Sequence, residues 1–260
     1  MNYQFITVSQ SEHILLIQLN RPDKCNAMHG PMVAELLHAV QTFSADDSRL
    51  LMLSGKGEHF CAGGDIAWMV QMTSGSEDKN AEDAQLLADL LYQLYSCPKP
   101  TLALVQGAVR GGGLGLVGAC DFAIAAKDAS FALPEVKIGI TPSIISPYVI
   151  AAIGERAAHY YFLTGESFDA DRAKQLGLVQ QVIDKESLTS VAISLAQIVM
   201  KNSPLALTAA KQLIRYVAKE KITQGLAQKT GEHLSDLRRT PQAQEGLQAF
   251  IEKRHPHWSK

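Results

Sequence analysis

The order of hydrophobic and polar positions predicts short strands and an amphipathic helix in the first part of the chain. Bulky and polar residues alternate over residues 3–9 and 14–20, which is typical of two half-buried strands joined as a hairpin. Residues 31–43 predict an amphipathic helix. Its apolar positions, which recur at helical spacing, are Met32, Leu36, Leu37, Val40 and Phe43. A continuous apolar run at residues 50–54, ended by a glycine, predicts a buried strand.

Strands and helices continue to alternate through the middle of the chain. Residues 78–82 are interpreted as a polar insert that is expected to be exposed and mobile, and a helix is predicted at residues 81–95. Apolar runs at residues 102–105 and 122–126 predict two further strands, with a glycine-rich block between them. The alternation predicts an α/β fold.

Helical patterns dominate the last part of the chain. Short helices are predicted at residues 148–153 and 155–163, and a third is predicted from an N-cap at Asp169 to Leu176, ended by Gly177. Further helices are predicted at residues 187–200, 204–218, 222–237 and 241–253. We therefore predict a core at residues 1–200 and a C-terminal helical region at residues 201–260.

Composition narrows the class of protein without indicating an activity. Hydrophobic residues make up 47% of the chain, charged residues 19%, and the formal net charge is -2, which describes a globular protein with a large core. No basic excess favours nucleic acid, no secretory signal opens the chain, and the most apolar window, residues 102–126, contains Arg110. The four cysteines are far apart, so we expect no zinc site, no disulfide framework and a cytoplasmic protein.

The glycine block at residues 111–113 is the strongest chemical signal. Three adjacent residues without a Cβ cost conformational entropy and allow a ligand to lie directly on peptide N–H groups. The residues after the block can continue as a helix, whose first N–H groups favour negative charge. We predict an anion or oxyanion site at Gly112, with the carboxylate of Glu135 brought close by the fold.

Other interpretations of the glycines agree less well with the sequence. Residues 113–118 match the dinucleotide fingerprint G-x-G-x-x-G, but Arg110 and two glycines separate the match from the preceding strand. No P-loop, no G-x-S-x-G elbow and no H-E-x-x-H motif occurs in the chain. Three features are left to explain: two glycine turns, at residues 62–65 and 111–113, that each enter a helix, and the acid Glu135.

Further short motifs occur in a fixed order along most of the chain, and the glycine turns and Glu135 are among them. The motifs are Asn20-Arg21-Pro22, Asn26-Ala27, residues 60–66, Gln106-Gly107-Ala108, residues 111–113, Ala119-Cys120-Asp121, residues 131–139, Leu163-Thr164-Gly165 and Gly177-Leu178-Val179. In this order the sequence resembles the crotonase superfamily, the enoyl-CoA hydratase/isomerase family. The resemblance implies a spiral of ββα repeats, with a C-terminal helical region that mediates trimers or dimers of trimers. It implies acyl-CoA substrates and no separate cofactor, since coenzyme A is part of the substrate.

The resemblance also implies the site residues by their positions. The N–H groups of Gly64 and Gly112 would form the oxyanion hole for the thioester oxygen, and Glu135 would be the catalytic acid and base. The implied substrate-binding positions are Lys24, Ala27, Ala62, Gly64, Asp65, Ile66 and Gly112. Lys24 is a candidate phosphate contact, and a solvated loop lysine is an equally simple interpretation.

The sequence departs from the family pattern at Gly115. Hydratases of this family typically have a glutamate at that position as well as one at the position of Glu135. Three functions therefore stay open: hydration of a 2-enoyl-CoA, double-bond isomerisation or other enolate chemistry, and acyl-CoA binding without catalysis. Residues 65–69 and 138–148 are similar to the 3-methylglutaconyl-CoA hydratase branch of leucine degradation, whose acyl group carries a distal carboxylate. Arg110 or Lys137 is a candidate partner for that carboxylate, and a solvated surface position is the alternative for both.

Overall fold

The computed structural model describes residues 2–259, which contain nine strands and eleven α-helices. In chain order the strands are β1 (Ile6–Ser11), β2 (Ile14–Leu19), β3 (Leu50–Gly55), β4 (Thr101–Val105), β5 (Ala108–Arg110), β6 (Phe122–Ala126), β7 (Ser130–Ala132), β8 (Ser167–Asp169) and β9 (Gln181–Ile183). The helices are α1 (Gly30–Ala45), α2 (Ile66–Thr73), α3 (Glu77–Ser96), α4 (Gly112–Ala119), α5 (Ser146–Ile153), α6 (Glu155–Thr164), α7 (Ala170–Leu176), α8 (Leu188–Met200), α9 (Pro204–Val217), α10 (Gln224–Arg238) and α11 (Pro241–Ile251).

The larger sheet has six strands in the order β1-β2-β3-β4-β6-β9. It is parallel except for the predicted hairpin, in which β1 and β2 pair antiparallel. Strands β3 and β4 are buried along their whole length, as expected of parallel strands covered on both faces. The predicted α/β class is confirmed.

The smaller sheet, β5-β7-β8, shows how the chain repeats. Strand β4 of the large sheet is followed by β5 of the small sheet and then by α4. Strand β6 is followed by β7, a 3-10 turn at Pro134–Ile138 and α5. Strand β3 is followed by a single bridge at Cys61, which pairs parallel with Val109 of β5, and then by α2. These segments form three consecutive ββα turns, in agreement with the expected spiral.

One predicted feature of the helices is wrong. Residues 78–82 are not an insert before a helix, because α3 begins at Glu77 with Ser76 as its N-cap, and the Ser76 hydroxyl accepts from the N–H of Lys79. The acids in this first turn favour a helix N-terminus. The segment is exposed as expected, because the first turns of α3 carry polar side chains.

The described chain divides into two compact units. The first comprises the chain up to Cys97 and Thr101–Ile193, and it contains both sheets. The second comprises Pro98–Pro100 and the chain from Ser194 onward, which is helical. The sequence-based division at residue 200 stays a prediction. None of the helices within residues 2–259 has the length and apolar composition needed to span a bilayer.

Candidate active site

Two glycine-containing turns lie side by side in the first unit. The N–H of Cys61 donates to the carbonyl of Ala108 (3.2 Å), and the N–H of Arg110 donates to the carbonyl of Cys61 (2.9 Å). The two turns that follow Cys61 and Arg110 therefore lie next to each other at the end of the small sheet. The approach is close enough to exclude a side chain, since a Cβ on Gly113 would lie 2.7 Å from the Cys61 carbonyl oxygen.

Pairing across the small sheet sets the positions of the predicted catalytic residues. Cys61 pairs with Val109, and Val109 pairs with Phe131, so the three lie in register in consecutive ββα turns. All three segments run parallel, and each continues for three or four residues to a predicted catalytic position. These positions are Gly64, Gly112 and Glu135. The repeat therefore brings together residues that are far apart in sequence.

The N–H groups of Gly64 and Gly112 are free to bind a ligand. Hydrogen bonds from Met28 N–H to the Gly63 carbonyl (2.7 Å) and from Asp65 N–H to the Met28 carbonyl (2.8 Å) hold the peptides on either side of Gly64. Gly112 is the first residue of α4, where an N–H group has no acceptor within the helix. Among residues 2–259, no acceptor lies on either of these two N–H groups. Met28 connects the two positions, because its Cε would lie 2.5 Å from a Cβ on Gly112.

Glu135 faces the second glycine turn from the 3-10 turn Pro134–Ile138. Its Oε1 would lie 2.7 Å from a Cβ on Gly111, a residue whose φ of +44° also favours glycine. Its Oε2 is buried and has no hydrogen-bond partner among the described residues. Burial raises the pKa of the Glu135 carboxyl. A carboxylate with one unpaired oxygen and a raised pKa is suited to accept and return a proton.

The loop that contains Lys24 and Ala27 is fixed by Asn26, whose importance the sequence analysis did not identify. Asn26 is fully buried with a φ of +55°. Its amide donates to the carbonyls of Lys56 (2.9 Å) and His59 (2.7 Å), and its Oδ1 accepts from a backbone N–H at residue 21 (2.9 Å). Asn26 belongs to a motif that carried the family resemblance, but its buried role depends on contacts more than 25 residues away.

Asp65 is committed to holding the start of α2. One carboxylate oxygen accepts from the N–H groups of Ala67 and Trp68, and the other pairs with Arg21 at 3.0 Å. Burial opposes the charge of Asp65, but the Arg21 and main-chain hydrogen bonds outweigh it, so its pKa lies below the ordinary value.

We expect Asp65→Ala to lower the free energy of unfolding by about 1–3 kcal/mol, because it removes a helix cap and leaves Arg21 without its carboxylate. Urea unfolding at pH 7 measures the loss, with Asp23→Ala, at an exposed acid, as the control. Because the pKa of Asp65 is lowered on folding, its contribution is present above about pH 3.9 and is lost as pH falls through the folded pKa. Equal stability of Asp65→Ala and the native protein would contradict this role.

Apolar side chains fill the space beside Gly115. A Cβ there would lie 3.0 Å from the Cβ of Ile145 and 3.1 Å from Cδ1 of Leu91, and it would also meet Cγ2 of Ile145. Both side chains are buried, at 3% and 0% exposure. This position offers neither a second carboxylate nor a polar group to water.

The two cations proposed for a distal carboxylate have different surroundings. Arg110 donates to the carbonyls of Val109 and Ser130 and to the Ser130 hydroxyl (3.1 Å), so the expectation of a solvated face is wrong for this half-buried side chain. Lys137 is exposed, and its chain lies over Gly165, where a Cβ would be 2.8 Å from the lysine Cε.

The remaining predicted substrate positions lie in the loops before α1 and α2 and at the first residue of α2. Lys24 and Ile66 are exposed, whereas Ala27 and Ala62 are half-buried. The N–H of Ala62 donates to the carbonyl of Cys25 (2.9 Å), which joins the loop before α1 to the loop before α2. Among residues 2–259, no group of three His, Cys, Asp or Glu side chains is arranged to hold a metal ion.

Comparisons with known proteins identify a family and several relatives that this chain is similar to. The family profile described as Enoyl-CoA hydratase/isomerase matches residues 9–260. The 2,3-dehydroadipyl-CoA hydratase of Escherichia coli is 32% identical, over 96% of this chain and 97% of that protein. The mouse mitochondrial Delta(3,5)-Delta(2,4)-dienoyl-CoA isomerase is 32% identical, over 97% of this chain and 81% of that protein. The crystal structure of an enoyl-CoA hydratase from Shewanella pealeana superimposes with a TM-score of 0.94 at 37% identity, covering 98% of this chain and 96% of the other.

The fold is that of the crotonases, as the resemblance implied, and the chain ends in a helical region. The chain belongs to the enoyl-CoA hydratase/isomerase family. It is therefore an enzyme of acyl-CoA metabolism, with relatives named as hydratases and as an isomerase.

Proposed function

We propose that this protein hydrates a 2-enoyl-CoA with Glu135 as its single acid and base. The observation that carries the proposal is the position of the Glu135 carboxylate. It is unpaired at Oε2 and lies against Gly111, one residue before the free N–H of Gly112. The N–H of Gly64, in the neighbouring turn, supplies the second donor.

In the proposed reaction, the Glu135 carboxylate removes a proton from water as the hydroxide attacks the β-carbon of the enoyl thioester. The double-bond electrons move to the thioester oxygen, where the two N–H groups stabilise the enolate; one such donor contributes about 3–4 kcal/mol of barrier lowering in known enzymes. The protonated Glu135 then gives its proton to the α-carbon. The carboxylate is regenerated, and one water has been added.

The coenzyme A moiety is proposed to lie along the loops that contain Lys24, Ala27, Ala62 and Ile66. Lys24 is exposed and carries a charge suited to a phosphate. Asp65 would contribute through its main chain, because its side chain is occupied by Arg21 and α2. We also propose that the protein assembles as a trimer or dimer of trimers in the cytoplasm and needs no separate cofactor.

For the acyl group we propose 3-methylglutaconyl-CoA. The similarity of residues 65–69 and 138–148 to that branch supports the choice, and the Escherichia coli relative is named for a dehydroadipyl substrate, whose acyl group also has a distal carboxylate. Arg110 is occupied within the small sheet, so exposed Lys137 is the candidate partner.

Isomerisation of the double bond is the second candidate, and the surroundings of Gly115 favour it. A single carboxylate is sufficient to move a proton between two carbons, and the apolar contacts of Ile145 and Leu91 leave no second acid at this position. The mouse relative is named as an isomerase.

Crotonyl-CoA and 3-methylglutaconyl-CoA, followed by absorbance and mass, distinguish these functions. Hydration removes the enoyl absorbance and adds the mass of one water, isomerisation changes absorbance at constant mass, and binding alone leaves both unchanged. We expect hydration, with a KM for methylglutaconyl-CoA that rises about tenfold in Lys137→Met while that for crotonyl-CoA does not change. An equal KM for methylglutaconyl-CoA in this variant would rule out the Lys137 contact, and binding without turnover would rule out the enzymatic proposal.

A further inference from the structure

Helix α2 begins two residues after the Gly64 donor, yet it has no fully buried residue. An isolated helix of eight residues is unstable in water, so contacts with the rest of the protein must hold it. The ion pair between Arg21 and Asp65, the N-cap of α2, fixes the N-terminus of the helix. Three of its side chains are half-buried: Trp68 and Met69 in the first turn, and Met72.

The indole of Trp68 makes directed contacts with two other helices. Its Nε1–H donates to Oδ1 of Asp83 on α3 at 2.8 Å. Its ring meets His29, at the N-cap of α1, edge to face with 5.7 Å between centroids. A half-buried indole with its N–H satisfied has a defined orientation, which a purely apolar contact would not impose.

Gly30 provides the space for this arrangement. A Cβ on Gly30 would lie 2.7 Å from Cζ2 of Trp68 and 2.8 Å from Oδ1 of Asp83, so any other residue would push both groups away. Gly30 is two residues after Met28, whose backbone pairs on both sides of Gly64. The segment of residues 28–30 thus holds the oxyanion donor with one end and the Trp68 ring with the other.

We propose that Trp68 and Asp83 are positioning residues that hold α2, and with it the Gly64 N–H, in place at the thioester oxygen. The proposal rests on the oxyanion role given to Gly64 above. Release of the indole removes the bond to α3 from a helix that has no fully buried side chain, and the Gly64 donor, two residues before that helix, is displaced with it. Because that donor acts mainly on the enolate, its displacement lowers kcat more than it raises KM.

Four variants test the contact, each made with Trp258→Phe so that Trp68 is the single tryptophan of the two in the chain. Asp83→Ala removes the acceptor and Gly30→Ala displaces the ring. Asp83→Asn keeps an acceptor oxygen for the indole N–H. Asp89→Ala makes the same change at an exposed acid of α3 and serves as the matched control. Hydration kinetics and the emission and quenching of Trp68 are measured for all four.

We expect Asp83→Ala and Gly30→Ala each to lower kcat about tenfold to a hundredfold, with less than a threefold change in KM, because a displacement of about 1 Å can cost a hundredfold in rate. Both should shift the Trp68 emission to longer wavelength and raise its quenching. Asp83→Asn should keep kcat within about threefold of the value for Trp258→Phe alone. Asp89→Ala should match Trp258→Phe in both rate and emission.

Two results would overturn the positioning role. One is a shifted emission in Asp83→Ala at unchanged kcat, which shows that Trp68 moves without moving the donor. The other is an unchanged emission and rate, which shows that the contact does not hold the helix. Either result leaves the assignment of Glu135 intact, since Glu135→Gln tests that assignment separately. Conversely, full activity of Glu135→Gln would refute the proposed mechanism, while the emission of Trp68 would still report on α2.

Discussion

Glu135→Gln is expected to lower kcat for enoyl-CoA hydration by about 10²- to 10⁴-fold, the range for loss of a general acid and base. Glutamine matches glutamate in shape, so the KM should change little. It has no ionisable proton, and neither Gly115 nor its neighbours Ile145 and Leu91 provide a substitute. Steady-state hydration of crotonyl-CoA measures the effect, and Glu220→Gln, at an exposed acid, is the control.

The same substitution should stabilise the protein at neutral pH. Because burial raises the folded pKa of Glu135, the ionised carboxylate destabilises the native state there. This penalty is absent below the unfolded pKa of about 4.3, grows as pH rises from there towards the folded pKa, and is complete above the folded pKa. Glu135→Gln should therefore unfold at a higher urea concentration than the native protein at pH 7, with the difference vanishing near pH 4. A variant with full hydratase rate, or one less stable at pH 7, would contradict the described environment of Glu135.

The activity of the native protein should show the same ionisation. Hydration needs the Glu135 carboxylate in its charged form, so kcat/KM is expected to fall on the acidic side. Because burial raises the pKa, the midpoint of that fall should lie above the ordinary glutamate value of about 4.3. A profile that stays flat through this range would exclude Glu135 as the base.

Local patterns in the sequence were sufficient to predict the longer elements. The helix expected at residues 31–43 is α1, and the apolar run at residues 122–126 is β6. The N-cap expected at Asp169 is confirmed by its side-chain bond to the N–H of Arg172, and Gly177 ends α7 with a φ of +88°. In each case the deciding interactions lie within a few residues, so the information is present in the local sequence.

Strands of three residues could not be predicted in the same way. Strands β5, β7, β8 and β9 are too short to show a period of two, and long-range pairing determines them. The small sheet depends on these pairings, and it is the small sheet that aligns Cys61, Val109 and Phe131. The sequence therefore indicated which residues carry the chemistry, while the geometry that unites them depends on the fold.

The partners of charged side chains also could not be predicted from the local sequence. Arg110 was a candidate for a ligand carboxylate, but its guanidinium bonds to Ser130, twenty residues further along the chain. Asp83 lay in a helix that the sequence predicted, yet its bond to Trp68 arises from the packing of α2 on α3. Charge and residue type indicate what a side chain can bind, and the fold determines which partner it meets.

Gly115→Ala is expected to destabilise the protein by about 1–3 kcal/mol, although alanine is the better helix former by about 1 kcal/mol. The added Cβ would meet Cγ2 of Ile145 and lie 3.1 Å from Leu91, both in the packed core. Urea unfolding measures the change. Gly231→Ala is the matched control, since a Cβ at this position of α10 meets nothing within 4 Å and should be neutral or stabilising.

A double-mutant cycle attributes the cost to a specific contact. Ile145→Ala alone should destabilise by about 2–4 kcal/mol through the cavity it leaves. Because that cavity accepts the new methyl group, Gly115→Ala with Ile145→Ala should be less destabilised than the sum of the single variants by about 1 kcal/mol or more. Strict additivity, or a Gly115→Ala protein as stable as the native one, would show that Ile145 moves aside. If Ile145 moves aside, the core has room at residue 115 for the second carboxylate that hydratases of this family typically carry. Packing around Gly115 would then not explain why the proposed mechanism uses a single acid.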